Sequence, residues 1–119
     1  MRSFGDLESR LMQILWSART GLTVQEVIER LETPVAYTTA ITVIERLRAK
    51  GWLTREKHGR AFRYAATRTE SQYAATLMSE ALDEVDDRAG ALLSFADRLT
   101  PDEAQRLREA LARLESGER

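Results

Sequence analysis

Apolar residues recur along this chain first at a helical period, then at a period of two, then at a helical period again. Between Asp6 and Ser17, residues Leu7, Leu11, Ile14 and Leu15 fall on one face of a predicted helix that ends near Trp16. Thr23-Val24-Gln25-Glu26 has the pattern of a capping box, with the Thr hydroxyl accepting an orphan backbone N–H and the Glu carboxylate reaching back to the cap. It opens a second helix bearing Val24, Val27, Ile28 and Leu31. Pro34 closes that helix, because its ring disfavours helical geometry in Thr33. From Ala36 to Gly51 a third helix follows, with Ala40, Val43, Ile44 and Leu47 on its apolar stripe. The period then drops to two: Trp52 to Lys57 reads as a strand, His58-Gly59 as a turn, either of two residues or part of a three-residue one, and Arg60 to Tyr64 as the returning strand. Leu53, Phe62 and Tyr64 are expected to seal the core beneath this hairpin.

Thr69-Glu70-Ser71-Gln72 is a second capping box, and behind it the helical period runs to about Asp87 through Tyr73, Leu77, Met78, Ala81, Leu82 and Val85. Gly90 interrupts, and Leu92, Leu93, Phe95 and Leu99 suggest a short helix. Thr100-Pro101-Asp102-Glu103 then supplies a cap, a proline in the first turn and early acids for a last helix, with Ala104, Leu107, Leu111 and Leu114 along one seam. The expected fold class is mainly α with a small β-hairpin wing. Residues 1–68 form a winged helix-turn-helix, and residues 69–119 form a C-terminal helical dimerisation region. The second segment has too much apolar surface for solvent and too little length for a core of its own, so a second copy is the expected cover. Tyr73, Leu77, Leu82, Leu92, Leu93, Phe95, Leu107, Leu111 and Leu114 are the candidate dimer contacts.

Charge sharpens this division. The net charge of −1 hides a basic first part and an acidic second: residues 1–68 hold 12 Lys and Arg against 7 Asp and Glu, and residues 69–119 hold 6 against 12. Within residues 46–63 stand Arg46, Arg48, Lys50, Arg55, Lys57, Arg60 and Arg63, against the single acid Glu56. A merely solvated surface mixes signs, so one sign on a helix and hairpin points to a polyanion. The polar face of the third helix carries Thr39, Thr42 and Arg46, short hydrogen-bonding and cationic side chains suited to base edges in the major groove. Thr38 at the helix start, with Lys50, Arg55, Lys57, Arg60 and Arg63, is the candidate phosphate-binding set. Arg48 has the alternative of pairing with an acid.

In this order the residues resemble the BlaI/MecI family of penicillinase and methicillin-resistance repressors. The resemblance covers nearly the whole chain and is carried by Leu7 to Trp16, by Tyr37-Thr38-Thr39-Ala40-Ile41-Thr42-Val43-Ile44-Glu45-Arg46-Leu47, by Lys50-Gly51, and by the wing through Arg60, Phe62 and Tyr64. It implies a dimeric winged-helix repressor on inverted-repeat operators, often containing TACA and TGTA. It also implies inactivation by a sensor protease in the penicillinase branch, at an Asn-Phe bond in the dimerisation region. The corresponding pair here is Ser94-Phe95, a departure that bears on cleavage and not on DNA binding. The copper-responsive branch senses metal through a Cys-rich tail, which this chain lacks, having no Cys.

Two other readings fit part of the pattern: a ligand-responsive regulator resembling the PadR or MarR families, and a winged-helix module whose basic wing docks an acidic protein. An enzyme is not expected, because His58, the only histidine, has no carboxylate at helical spacing to orient it. No metal site or cofactor is expected. Nor does any apolar run reach the roughly 20 residues that span a bilayer, so the expected compartment is the cytoplasm.

Overall fold

A computed structural model describes residues 3–117. Along the chain run α1 (Asp6–Ser17), α2 (Val24–Arg30), α3 (Tyr37–Ala49), β1 (Leu53–His58), β2 (Ala61–Ala66), α4 (Glu70–Asp83), α5 (Arg88–Ala96) and α6 (Pro101–Glu115). They form two compact units, Met1–Leu77 and Met78–Arg119, whose boundary falls inside α4.

The first unit is a winged helix. Leu11, Met12 and Leu15 of α1, Leu22, Val24 and Val27 around α2, and Ala40, Val43, Ile44 and Leu47 of α3 close a single core with Leu53 and Tyr64 of the hairpin. All four residues of the α3 stripe are buried, as the periodicity predicted. The Thr23–Glu26 capping box forms in both directions, at 3.1 and 2.9 Å. A third, minimal strand was not anticipated: Leu22 and Tyr64 exchange backbone hydrogen bonds of 2.9 and 2.7 Å, which ties the chain ahead of α2 to the wing.

In the hairpin, His58 pairs with Ala61, so the two-residue turn is Gly59-Arg60 and not His58-Gly59. Gly59 takes φ +65 at the first central position and Arg60 keeps a negative φ at the second, as a type II′ connection requires. The register puts Leu53, Arg55 and Lys57 opposite Ala66, Tyr64 and Phe62 on one face. Leu53 and Tyr64 are buried there, but Phe62 lies toward the tip and stays 38% exposed under the Arg55 guanidinium, 4.0 Å above its ring. The expectation that Phe62 seals the core is corrected: it serves as a cation–π platform on the wing.

α4 begins as part of this unit. Its Thr69–Gln72 capping box forms, and Tyr73 stacks on Phe4 at 4.2 Å between ring centroids, with Trp52 edge-on to both. The Tyr73 hydroxyl accepts the Phe4 N–H at 2.7 Å, and the Trp16 indole N–H donates to the Arg68 carbonyl at 2.9 Å. Tyr73, placed among the dimer contacts from sequence, is thus packed within the first unit. This packing is also why the unit runs past residue 68.

One polar interaction fastens the wing to α3. The Glu45 carboxylate accepts two hydrogen bonds from Arg48 (2.9 and 3.1 Å), one from Arg55 Nη1 (2.8 Å) and one from the Tyr64 hydroxyl (2.5 Å). The Arg48 guanidinium, with Tyr64 and Arg55 behind it, holds the Glu45 carboxyl down at about 2. Burial pushes the Tyr64 phenol up, and the Glu45 charge adds to that.

The second unit has a different character. α4 ends at Asp83 rather than near Asp87, and Asp87 instead caps α5 by accepting the Gly90 N–H at 2.8 Å. Gly90 does not interrupt a helix; it lies in the first turn of α5, where a Cβ would stand 2.1 Å from Asp87 Oδ2. Thr100 and Glu103 form the box expected at the start of α6, with Pro101 as its first residue. None of the three helices buries a residue fully. Leu93, Leu111 and Leu114 are 71%, 50% and 59% exposed, and Met78, Ala81, Leu82, Val85, Ala91, Leu92 and Phe95 line an apolar depression of about 240 Å³.

The Glu45 interaction has a pH signature. A carboxyl near 2 in the folded chain and near 4.5 when unfolded contributes stability that is complete above about pH 4.5 and disappears as pH falls toward 2. Glu45→Gln should cost on the order of 2 kcal/mol at pH 7 and flatten stability over that acidic window. Denaturant titrations at a series of pH values check both; an unchanged acid profile in the variant would show that the clamp is not the titrating element.

Candidate nucleic-acid interface

The polar face of α3 and the wing form one surface, and hydrogen bonding sorts its cations. Thr39, Thr42 and Arg46 of α3 and its C-cap residue Lys50 lie along one flank of the helix, off the buried stripe, and all four are exposed. The Thr42 hydroxyl donates to the Thr38 carbonyl one turn back at 2.7 Å, which leaves its oxygen free to accept and its methyl available for apolar contact. Thr38 and Thr39 sit in the first turn of α3, whose cap residue, Ala36, has no side chain able to accept a hydrogen bond. The other described helices each have a side-chain hydrogen bond at that end, from Glu8, Thr23 with Glu26, Thr69 with Gln72, Asp87, or Thr100 with Glu103. The first N–H groups of α3 are therefore available to an anion.

Four of the cations picked out from sequence have internal acidic partners. Arg48 and Arg55 both hold Glu45. Arg63 Nη1 donates to the Gly21 carbonyl at 3.0 Å and to Glu26 at 3.1 Å, so it ties the wing to the start of α2. Lys50 reaches Glu8 at 3.4 Å. The Gly5 backbone N–H holds the Glu8 carboxyl low, aided by the Lys50 and Arg46 charges, and the Thr23 N–H followed by Arg63 does the same for Glu26. Arg46, Lys57 and Arg60 form no ion pair with any described residue and are exposed.

Arg60, in the hairpin turn, faces the start of α3 across a groove of about 280 Å³ lined by Gln25, Tyr37, Ile41 and Phe62 among others. The wing tip and the start of α3 thus border one cleft. Two residues of α3 were not singled out from sequence, one in this cleft and one beside it. Tyr37 is 54% exposed, and an aromatic residue at the first position of a helix, off the apolar stripe, was the signal available for it. The other omission on this surface, Glu45, is the acid on which the wing is anchored; its spacing of three residues from Arg48 marked it as an intrahelical pair.

His58 lies 3.6 Å from Glu56 on the exposed wing, and no group of three or more potential metal ligands occurs among the described residues. No described helix is long and apolar enough to cross a membrane. Ser94 and Phe95 lie within α5 and are exposed.

Known proteins share this chain's sequence pattern and fold. The family model described as penicillinase repressor matches residues 4–113. The transcriptional regulator BlaI of Mycobacterium tuberculosis is 42% identical over 118 aligned residues, covering 95% of this chain and 86% of that protein. Among solved structures, the DNA-binding domain of the repressor BlaI is 31% identical with a TM-score of 0.52, over 61% of this chain and 94% of that one. MepR, a transcription regulator of the Staphylococcus aureus multidrug efflux pump MepA, is 14% identical with a TM-score of 0.54, over 97% and 80%, and shares the fold alone. The chain therefore belongs to the penicillinase repressor family and is a DNA-binding transcriptional repressor of winged-helix fold, not an enzyme.

Proposed function

We propose that this repressor works as a homodimer on inverted-repeat operators that control β-lactam resistance or related stress genes. The observation that carries the reading is the sorting of cations: Arg46, Lys57 and Arg60 stand exposed on α3 and the wing with no ion pair to any described residue, and the start of that helix is uncapped. Thr39, Thr42 and Arg46 read bases. Arg can bridge guanine O6 and N7, and the Thr42 methyl suits the thymine methyl. Thr38 with the first α3 N–H groups, Lys57 and Arg60 hold phosphates, with Lys50 contributing once it leaves Glu8. Arg55 and Arg63 act on the same backbone indirectly, by shaping the wing.

Dimerisation through the second unit is supported by its apolar residues. Leu82, Leu92, Leu93, Phe95, Leu107, Leu111 and Leu114 of that unit, with Leu77 at the end of the first, remain candidate contacts, and a two-fold axis would present two reading helices to half-sites one helical turn apart, roughly 34 to 36 Å. A sensor protease acting at Ser94-Phe95 would need α5 to open locally, because a hydrogen-bonded helix does not fit an extended-peptide cleft. A ligand-responsive regulator is the second reading, favoured by the apolar depression between α4 and α5.

Fluorescence anisotropy with a TACA/TGTA palindrome and a scrambled duplex tests the main reading across salt concentrations. The palindrome should bind far more tightly. Arg46→Ala should cost about 1 to 3 kcal/mol on the palindrome and little on the scrambled duplex, whereas Arg60→Ala should weaken both and flatten the salt slope by about 0.9. Equal losses for Arg46→Ala on the two duplexes would remove it from base readout. Sedimentation velocity should show a dimer, and Leu111→Glu should yield monomers that lose palindrome preference; a wild-type monomer would overturn the two-fold arrangement.

A further inference from the structure

We propose that Glu45 is a positioning residue that sets this repressor's discrimination between operator and random DNA by withholding Arg48 and Arg55 from the phosphate backbone. The inference rests on the reading that α3 and the wing meet DNA. Both guanidiniums lie where α3 meets the wing: Arg55 sits over Phe62, which lines the cleft with Tyr37 and Arg60, and Arg48 shares the Glu45 carboxylate with it. They are 37% and 31% exposed, within reach of a ligand, yet each directs hydrogen bonds at the same carboxylate.

A phosphate that captured either guanidinium would strip a partner from a half-buried carboxylate, so the exchange is unfavourable. Random DNA offers a protein little besides phosphates, and it meets this restraint in full. An operator also offers base edges to Thr39, Thr42 and Arg46, which are placed on the helix that Glu45 ties to Arg55 and Tyr64 of the wing. The same carboxylate therefore holds random binding down and keeps the reading face in register with the wing.

Glu45→Gln removes the charge and preserves the shape. Glu56→Gln is the control: it makes the same change in net charge on the exposed wing, where the ion-pair partner is His58. Glu45→Gln should raise affinity for a scrambled duplex about fivefold per released guanidinium at 0.15 M salt and steepen its salt slope by about 0.9 each. The palindrome should gain less, so the preference narrows. Glu56→Gln should shift both duplexes alike with unchanged slope. If Glu45→Gln matches Glu56→Gln in slope and in preference, the proposal is overturned, because only net charge has acted.

Arg48→Gln gives a second arm that does not depend on the stability of the Glu45 variant. In the wild-type background it should leave the slope on scrambled DNA unchanged; in the Glu45→Gln background it should cancel one released contact. A slope already flatter by about 0.9 in the single Arg48→Gln variant would mean that Arg48 contacts phosphate with Glu45 intact, and would refute the withholding. Wild-type protein that binds neither duplex at low salt removes the DNA-binding reading itself. Normal wild-type preference with an unaltered Glu45→Gln slope removes the role of Glu45 alone.

Discussion

The Glu45 carboxylate gathers a guanidinium from its own helix, a second from β1 and a phenol from β2. Apolar packing alone would leave the wing free to rock, because Leu53 and Tyr64 anchor the hairpin at one end while the rest projects past the core. Directional, charge-assisted hydrogen bonds remove that freedom. The Leu22–Tyr64 backbone exchange and the Arg63 contacts with Gly21 and Glu26 hold the other strand to the start of α2. The relation between α3 and the wing is thus fixed from both strands.

A consequence follows for the charge on this surface. A dense run of arginines suggests many equivalent phosphate contacts, but internal acids divide it into groups that are paired within the fold and groups that are not. Arg48, Arg55 and Arg63 are braces, and Arg46, Lys57 and Arg60 are open. A protein that exposed all of them would bind any DNA strongly; neutralising some from within gives base contacts a larger share of the binding energy.

The two units solve different packing problems. Met1–Leu77 has a dry core and an aromatic cluster of Phe4, Trp16, Trp52 and Tyr73 that takes in the first turns of α4. Met78–Arg119 has amphipathic helices with no fully buried residue, so its apolar surface is a demand that its own length cannot meet. That contrast is the physical basis for proposing association through the second unit and recognition through the first.

Periodicity by itself determined the helices, the hairpin and the core stripe of α3, since Ala40, Val43, Ile44 and Leu47 meet the core wherever that helix packs. The capping boxes at Thr23, Thr69 and Thr100 were equally legible, because each closes over only four residues. Tertiary structure decided what depends on distant partners. The Gly59-Arg60 turn follows from a register that either spacing of the strands allowed. Tyr73 belongs with Phe4, and Gly90 makes room for the Asp87 cap inside α5. Which arginines are free was hidden for the same reason: local pattern shows a charge, and only the fold shows whether an acid such as Glu45 has already met it.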